Sequence, residues 1–166
     1  MTGWTQLWPI LQGLLLVMAA NGAPVLGKRL LGESGSRPID GGWMFPDSKP
    51  LLGPSKSWRG VVLGVVTPAA AAPLLGVTWT VGLLVGAAAM AGDLLSSFFK
   101  RRLGIPSGGM ARGIDQVPEA LLRLLAARDA LGLSLGEAFV ATVLFWASEI
   151  TVSPILHRLG IRERPY

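Results

Sequence analysis

At 166 residues, with 51% hydrophobic and 15% charged side chains and a mean hydropathy of +0.51, the chain carries more apolar surface than one water-soluble core would bury. A formal charge of +5 and a sequence pI near 10.5 do not indicate nucleic acid as a partner, because the basic residues lie in short stretches between apolar runs. The absence of cysteine excludes disulfides, thiolate metal sites and a cysteine nucleophile, and leaves the redox compartment open.

The expectation is one all-α polytopic membrane domain over residues 1–166, with loops near 28–58 and 100–117. A helix needs about 20 apolar residues to cross the hydrocarbon core. Trp4–Leu26 meets that length. It lacks the basic start of a signal peptide and ends in Asn21, Gly22 and Lys28-Arg29, so it reads as a retained first span.

The Lys28–Trp58 stretch is rich in Gly, Pro, Ser and Asp, and is expected to be ordered by turns and by ligand. Within it, Pro38-Ile39-Asp40-Gly41-Gly42 puts an acid on a turn that permits close backbone approach. Pro54-Ser55-Lys56-Ser57-Trp58-Arg59-Gly60 sets two hydroxyls, two cations and an indole just ahead of a helix, whose free N–H groups favour anions. A nucleoside triphosphate would fit there, without any Walker sequence. Plainer readings stand beside these: Asp40 as a turn former, Lys56 and Arg59 as topology determinants, Trp58 as an interfacial anchor.

Val61–Gly76 and Thr78–Phe99 follow as a helical hairpin, turned at Pro68, Pro73 and the small residues between them, with Gly82 and Gly86 spaced for close packing. From Leu74 to Ala91 there is no charge; then come Gly92-Asp93-Leu94-Leu95-Ser96-Ser97-Phe98-Phe99-Lys100-Arg101-Arg102. Asp93 therefore falls at or just inside the membrane interface. A carboxylate costs roughly 2.5–3.5 kcal/mol at mid-bilayer and less near the headgroups, and such acids mark functional sites by default.

Asp93, Ser96, Ser97 and Lys100 share one helix face. The acid suits a hard cation, the hydroxyls suit phosphate or metal-bound water, and the ammonium suits phosphate. The competing reading is a helix end whose basic triplet complements the dipole and pairs with Asp93. Asp115, after the flexible Ser107-Gly108-Gly109, can fold back to the same point or simply cap the next helix. Two carboxylates from separate segments suggest Mg²⁺.

Pro118–Leu131 carries Arg123, Arg128 and Asp129, and could cross or lie in the interface. Leu135–Leu156 is the last span, with Glu149 inside it and His157, read as interfacial, just beyond. Counting Pro118–Leu131 gives five transmembrane helices, an outside N-terminus and a cytoplasmic C-terminus, and places thirteen of the fifteen Lys and Arg in cytoplasmic segments. Asn21 reads as helix glue or as a ligand contact.

Taken together, Asn-Gly-Ala-Pro from Asn21, Pro-Ile-Asp-Gly-Gly from Pro38, Pro-Ser-Lys-Ser-Trp-Arg-Gly from Pro54 and the Gly92–Arg102 run resemble the CDP-archaeol synthase family, archaeal relatives of the phosphatidate cytidylyltransferases. Gly92-Asp93, Ser97, Lys100-Arg101, Gly108-Gly109 and Asp115 match the longer signature of the latter. That signature's Lys-Asp pair and His are missing and Gln116 stands where it has Arg, which argues against phosphatidate as substrate. A CDP-alcohol phosphotransferase signature, Asp-Gly-x-x-Ala-Arg, is absent.

The resemblance implies a multi-pass enzyme of the cell membrane, its site facing the cytoplasm. It would transfer the cytidylyl group of CTP to 2,3-bis-O-(geranylgeranyl)-glycerol 1-phosphate, an isoprenoid ether lipid phosphate, and release pyrophosphate. It implies Mg²⁺ on Asp93 and Asp115, Lys100 and Arg101 on phosphates, Lys56 and Ser57 on the triphosphate of CTP, and Arg59, Ser97, Asp40 and Asn21 as further nucleotide-side contacts. Alternatives are a cytidylyltransferase for another lipid phosphate, or a non-catalytic transporter or scaffold for anionic lipid.

Overall fold

Apolar runs with few breakers propagate as helices here because each backbone polar group must be satisfied within its own segment in lipid. A computed structural model describes residues 4–107 and 116–160, with side chains from Leu7 to Ser107 and from Leu122 to Gly160. Among the described residues five α-helices follow one another: α1 Trp4–Leu31, α2 Trp58–Ala71, α3 Trp79–Arg102, α4 Gln116–Leu131 and α5 Leu135–Arg158. A 3₁₀ turn, Ala72–Leu75, extends α2 to Gly76, whose left-handed φ of 78° turns the chain into α3.

The helix starts are written locally. Ser57 caps α2 by accepting the Gly60 N–H at 3.2 Å. Ser134 and Glu137 form a reciprocal capping box at α5. α1 runs on to Leu31 rather than ending near Leu26, so Lys28 and Arg29 lie in its last turn, where cations complement the dipole.

α1, α2 with its 3₁₀ turn, α3 and α5 are long and apolar enough to cross a membrane. α4, at 16 residues, is not. At 1.5 Å per residue it reaches ~24 Å, short of the ~30 Å hydrocarbon core. The expected crossing by Pro118–Leu131 thus falls on a helix whose described length does not by itself qualify it as a span.

α4 nevertheless packs deep. Leu124, Ala127, Leu131 and Leu133 join Leu16 and Val17 of α1, Val81 and Val85 of α3, and Ala138, Ala141 and Phe145 of α5 in the main core. A Cβ on Gly13 of α1 would meet the side chains of Leu124, Leu131 and Leu133, while Arg123 sits beside Asn21. α4 therefore runs antiparallel to α1, away from the end where α1 finishes. Arg29 Nη1 donates to the Leu159 carbonyl at 3.2 Å, which brings the C-terminal ends of α1 and α5 to that same end.

α2 and α3 touch backbone to backbone. A Cβ on Gly82 would lie 2.1 Å from the Pro68 carbonyl oxygen, and one on Gly86 would lie 2.8 Å from that of Gly64. Outside this packing, Val62, Val66, Leu83, Leu84, Leu95, Phe99, Phe139, Val140, Leu144 and Ile150 are exposed. An apolar outer face around a packed interior is what a lipid solvent selects.

Candidate active site

The ends of α1 and α3 and the start of α2 meet at the loop from Gly32 to Ser57. Its backbone is fastened by an Ile39 N–H to Lys56 carbonyl bond of 2.9 Å and a Trp58 N–H to Arg37 carbonyl bond of 3.1 Å. The Asp40 carboxylate organises the rest: Oδ1 accepts from the Gly42 N–H at 3.0 Å, and Oδ2 from the Leu52 and Gly53 N–H groups at 2.9 Å each. Burial raises the pKa of Asp40, but the amides of Gly53, Leu52 and Gly42 outweigh it, and the net shift is downward.

That loop is bolted to the end of α3. Arg102 donates to Asp47 Oδ1 at 2.8 Å and to the Pro50 carbonyl at 2.5 Å, and its guanidinium lies over the rings of Phe45 and Phe98. Lys49 Nζ returns a bond to the Arg102 carbonyl at 2.8 Å. The sequence marks Arg102 as a dipole partner; its actual role as the loop's fastener needs the loop's path, which no local pattern encodes.

The clamp brings Lys56 to Asp93. Lys56 Nζ lies 2.5 Å from Asp93 Oδ2, both side chains partly buried. The sequence reading that paired Asp93 with the basic triplet on its own helix is replaced by a partner 37 residues away. One turn on, Ser97 is buried, and Ser96 Oγ is buried with no hydrogen-bond partner among the described residues. Arg101 is 4% exposed, and its Nε and Nη1 atoms have no partner among the described residues. Gly53, at φ +93°, allows its loop to approach: a Cβ there would stand 2.9 Å from Ser107 Oγ and 3.6 Å from Arg101 Nη1. Ser107 Oγ in turn donates to Ser55 Oγ at 3.0 Å.

Lys56, Asp93, Ser96, Ser97 and Arg101 are thus gathered where the loop meets α3. Lys100 lies on the same helix turn, with its own interactions. Other expected residues serve the frame. Ser57 caps α2. Arg59 donates from Nη1 to the Gly32 carbonyl at 2.7 Å and to that of Ser34, closing the loop's entrance. Asn21 Oδ1 accepts from Arg123 Nη1 at 2.9 Å. Asp115 lies outside the described residues.

Arg123 was legible only as a charge in an uncertain span. It is 2% exposed and also reaches the Ala89 carbonyl, one turn before Asp93, at 3.5 Å. Gln12, whose Nε2 donates to the Leu75 carbonyl at 2.7 Å, is a second buried polar tie that the sequence did not single out.

Among the described residues no three His, Cys, Asp or Glu side chains converge as a metal cage. One carboxylate beside hydroxyls still suits Mg²⁺, which is commonly held by one or two carboxylates with substrate phosphates.

Fold and site together define an all-helical, multi-pass membrane protein with a polar cluster where its spans meet a structured loop. The sequence profile of the CarS-like CDP-archaeol synthase family matches residues 69–166. The chain is 41% identical over 119 residues to the CDP-archaeol synthase of Hyperthermus butylicus, covering 66% of this chain and 68% of that one. It is 34% identical over 149 residues to that of Thermococcus onnurineus, covering 83% and 79%. A solved structure, described as giving structural insight into an intramembrane enzyme for archaeal membrane lipids biosynthesis, superposes with a TM-score of 0.72 at 29% identity, covering 86% of this chain and 90% of that one. This chain belongs to the CDP-archaeol synthase family, and is a cytidylyltransferase.

Proposed function

We propose that the chain joins CTP to 2,3-bis-O-(geranylgeranyl)-glycerol 1-phosphate at the Lys56–Asp93–Arg101 cluster, forming unsaturated CDP-archaeol and pyrophosphate. One observation carries the placement. The buried Arg101 guanidinium, whose Nε and Nη1 have no partner among the described residues, lies against the Gly53 turn that leads to Lys56, and a buried cation is costly unless an anion completes it.

A lipid phosphate oxygen attacks the α-phosphorus of CTP, forming one P–O bond as the bond to the β-phosphate oxygen breaks, with pyrophosphate leaving. The nucleophile is already an anion, so no strong base is required. The difficulty is bringing two polyanions together, and cations that are already positioned lower that cost. Arg101 is held for this by burial. Lys56 is held by Asp93 and turns to phosphate when substrate binds. Ser96 and Ser97 supply hydroxyls on the same face, and Lys100 a further cation.

Asp93, with Asp115 as the second expected ligand, would hold Mg²⁺. When bound, the ion supplies charge neutralisation at the phosphates. The isoprenoid chains remain in the bilayer between helices.

Five crossings are the topology this reading requires, with the N-terminus outside and both the site and the C-terminus on the cytoplasmic side. It is supported by the antiparallel course of α4 along α1 and by the Arg29–Leu159 bond, which puts α5's end beside the site. Lys28, Arg29, Lys49, Lys56 and Lys100 to Arg102 all lie on that side, as the positive-inside rule demands.

The test is pyrophosphate release by the purified protein with CTP, Mg²⁺ and the ether lipid phosphate. Lipid-dependent release is expected, falling about 100-fold or more in Asp93→Asn, the scale of losing a charge-stabilising group. Arg101→Met should raise KM for a phosphate substrate. Equal or better turnover of phosphatidate would reassign the lipid, and full activity in Asp93→Asn would move the site.

A further inference from the structure

We propose that the Trp43–Phe45 segment is an interfacial membrane anchor, seated at the headgroup and upper acyl level of the leaflet where α3 ends. Trp43 is 73% exposed, Met44 56% and Phe45 38%. Yet the segment is firmly built. The Trp43 N–H bonds the Asp40 carbonyl at 2.9 Å, the Trp43 carbonyl accepts from the Leu51 N–H at 2.8 Å, and the Phe45 N–H bonds the Lys49 carbonyl at 2.8 Å. Large apolar side chains therefore project from a turn in which the backbone polar groups of Trp43 and Phe45 are engaged, which lowers the cost of seating them against lipid.

Its place in the molecule names the occupant. Leu95 and Phe99 of α3 and its C-cap residue Leu103 recur every four residues as an exposed apolar stripe that continues past the helix end. The Phe45 ring packs edge-on to Phe98 at 5.5 Å, and Phe98 packs on Phe99 at 5.6 Å. The segment thus prolongs the lipid-facing stripe past the last turn of the span. Directly beside it lie Arg102, 4.4 Å from the Phe45 ring centre, and Lys49, cations at the level of lipid phosphates. An aromatic and apolar rim above a cationic one matches the bilayer boundary, where Trp collects. The anchor would keep the loop that carries Lys56 flat on the membrane, where a lipid phosphate arrives.

Because the chain has no cysteine, Trp43→Cys and Met44→Cys each create a unique labelling site. Both variants, and Ser36→Cys in the polar turn at the loop's entrance, are spin-labelled and reconstituted in phosphatidylcholine–phosphatidylglycerol vesicles. Collisions with oxygen and with a water-soluble nickel chelate are then compared. The expected result is loss of nickel collisions with gain of oxygen collisions at 43 and 44, and the reverse at 36. Aqueous behaviour at both 43 and 44 overturns the proposal. So does shielding from both reagents that persists in detergent, which would assign the surface to a protein partner or a second copy of the chain.

Discussion

Asp40 shows how one side chain sets a loop. Its carboxylate gathers the amides of Gly42, Leu52 and Gly53, and so aligns the strand of loop that leads to Lys56. Its pKa lies below the ordinary 3.8, with burial opposing the shift and the backbone bonds prevailing. A depressed folded-state pKa means the stabilisation is complete above the unfolded value and is lost as pH falls through the folded one. Amide exchange at Leu52 and Gly53, corrected for intrinsic rates, should therefore stay slow from neutral pH to about 4 and accelerate below it. In Asp40→Asn, which keeps only one acceptor oxygen, exchange should already be fast at pH 7.

The residue scale also shows the limit of reading by spacing. Asp93, Ser97 and Arg101 were visible because a charge interrupts an apolar helix and because the helical period is known. The Lys56 partner was not, since 37 residues and a fold-back separate the two. Nor was the work of Arg102, Arg59 and Ser57. Their types fit phosphate as well as they fit carbonyls and amides, and only the loop's course decides between those uses.

At the scale of elements, the α2–α3 contact is the most constrained. Glycine in a helix costs about 1 kcal/mol relative to alanine, so Gly82→Ala gains that much in propensity. Against it stands a Cβ at 2.1 Å from a backbone oxygen, which no rotamer change relieves. Overpacking of this kind costs typically 1–3 kcal/mol, and because the obstacle is backbone the upper part of that range applies. Gly82→Ala should lower the thermal midpoint in detergent. Gly22→Ala, where nothing lies within 4 Å, should leave it unchanged or raise it. An unchanged midpoint for both would mean the two helices are free to separate.

Helix boundaries followed the same logic. Apolar length fixes where a span must be, whereas caps and last-turn cations fix where it stops. α1 therefore outran its apolar run to include Lys28 and Arg29. α4 is the ambiguous element because its 16 residues must serve two demands. Leu124, Ala127 and Leu131 fill the core, while Arg123 bonds Asn21 and the Ala89 carbonyl, holding α1 and α3 together next to Asp93.

For the molecule as a whole, the five-crossing topology is open to a direct measurement. Thr78→Cys, in the turn between α2 and α3, and Ala130→Cys, at the far end of α4, should share one side of the membrane. Ser36→Cys should lie on the other. An impermeant maleimide applied to right-side-out vesicles is expected to label the first two and spare the third. Labelling of Thr78→Cys without Ala130→Cys would make α4 an interfacial helix and leave four spans.

By itself the sequence determined the solvent, the helical class and the family, because apolar runs of about 20 residues cross lipid as helices and because motifs on one helix carry their geometry with them. It also pointed to Asp93 as the acid that interrupts an apolar helix. The tertiary structure alone decided which groups meet there. Loop closure from Gly32 to Ser57, bolted by Arg102 and aligned by Asp40, carries Lys56 to Asp93 and sets Gly53 against the buried Arg101 guanidinium. Such encounters depend on contacts between residues distant in the chain, and no local propensity or period records them.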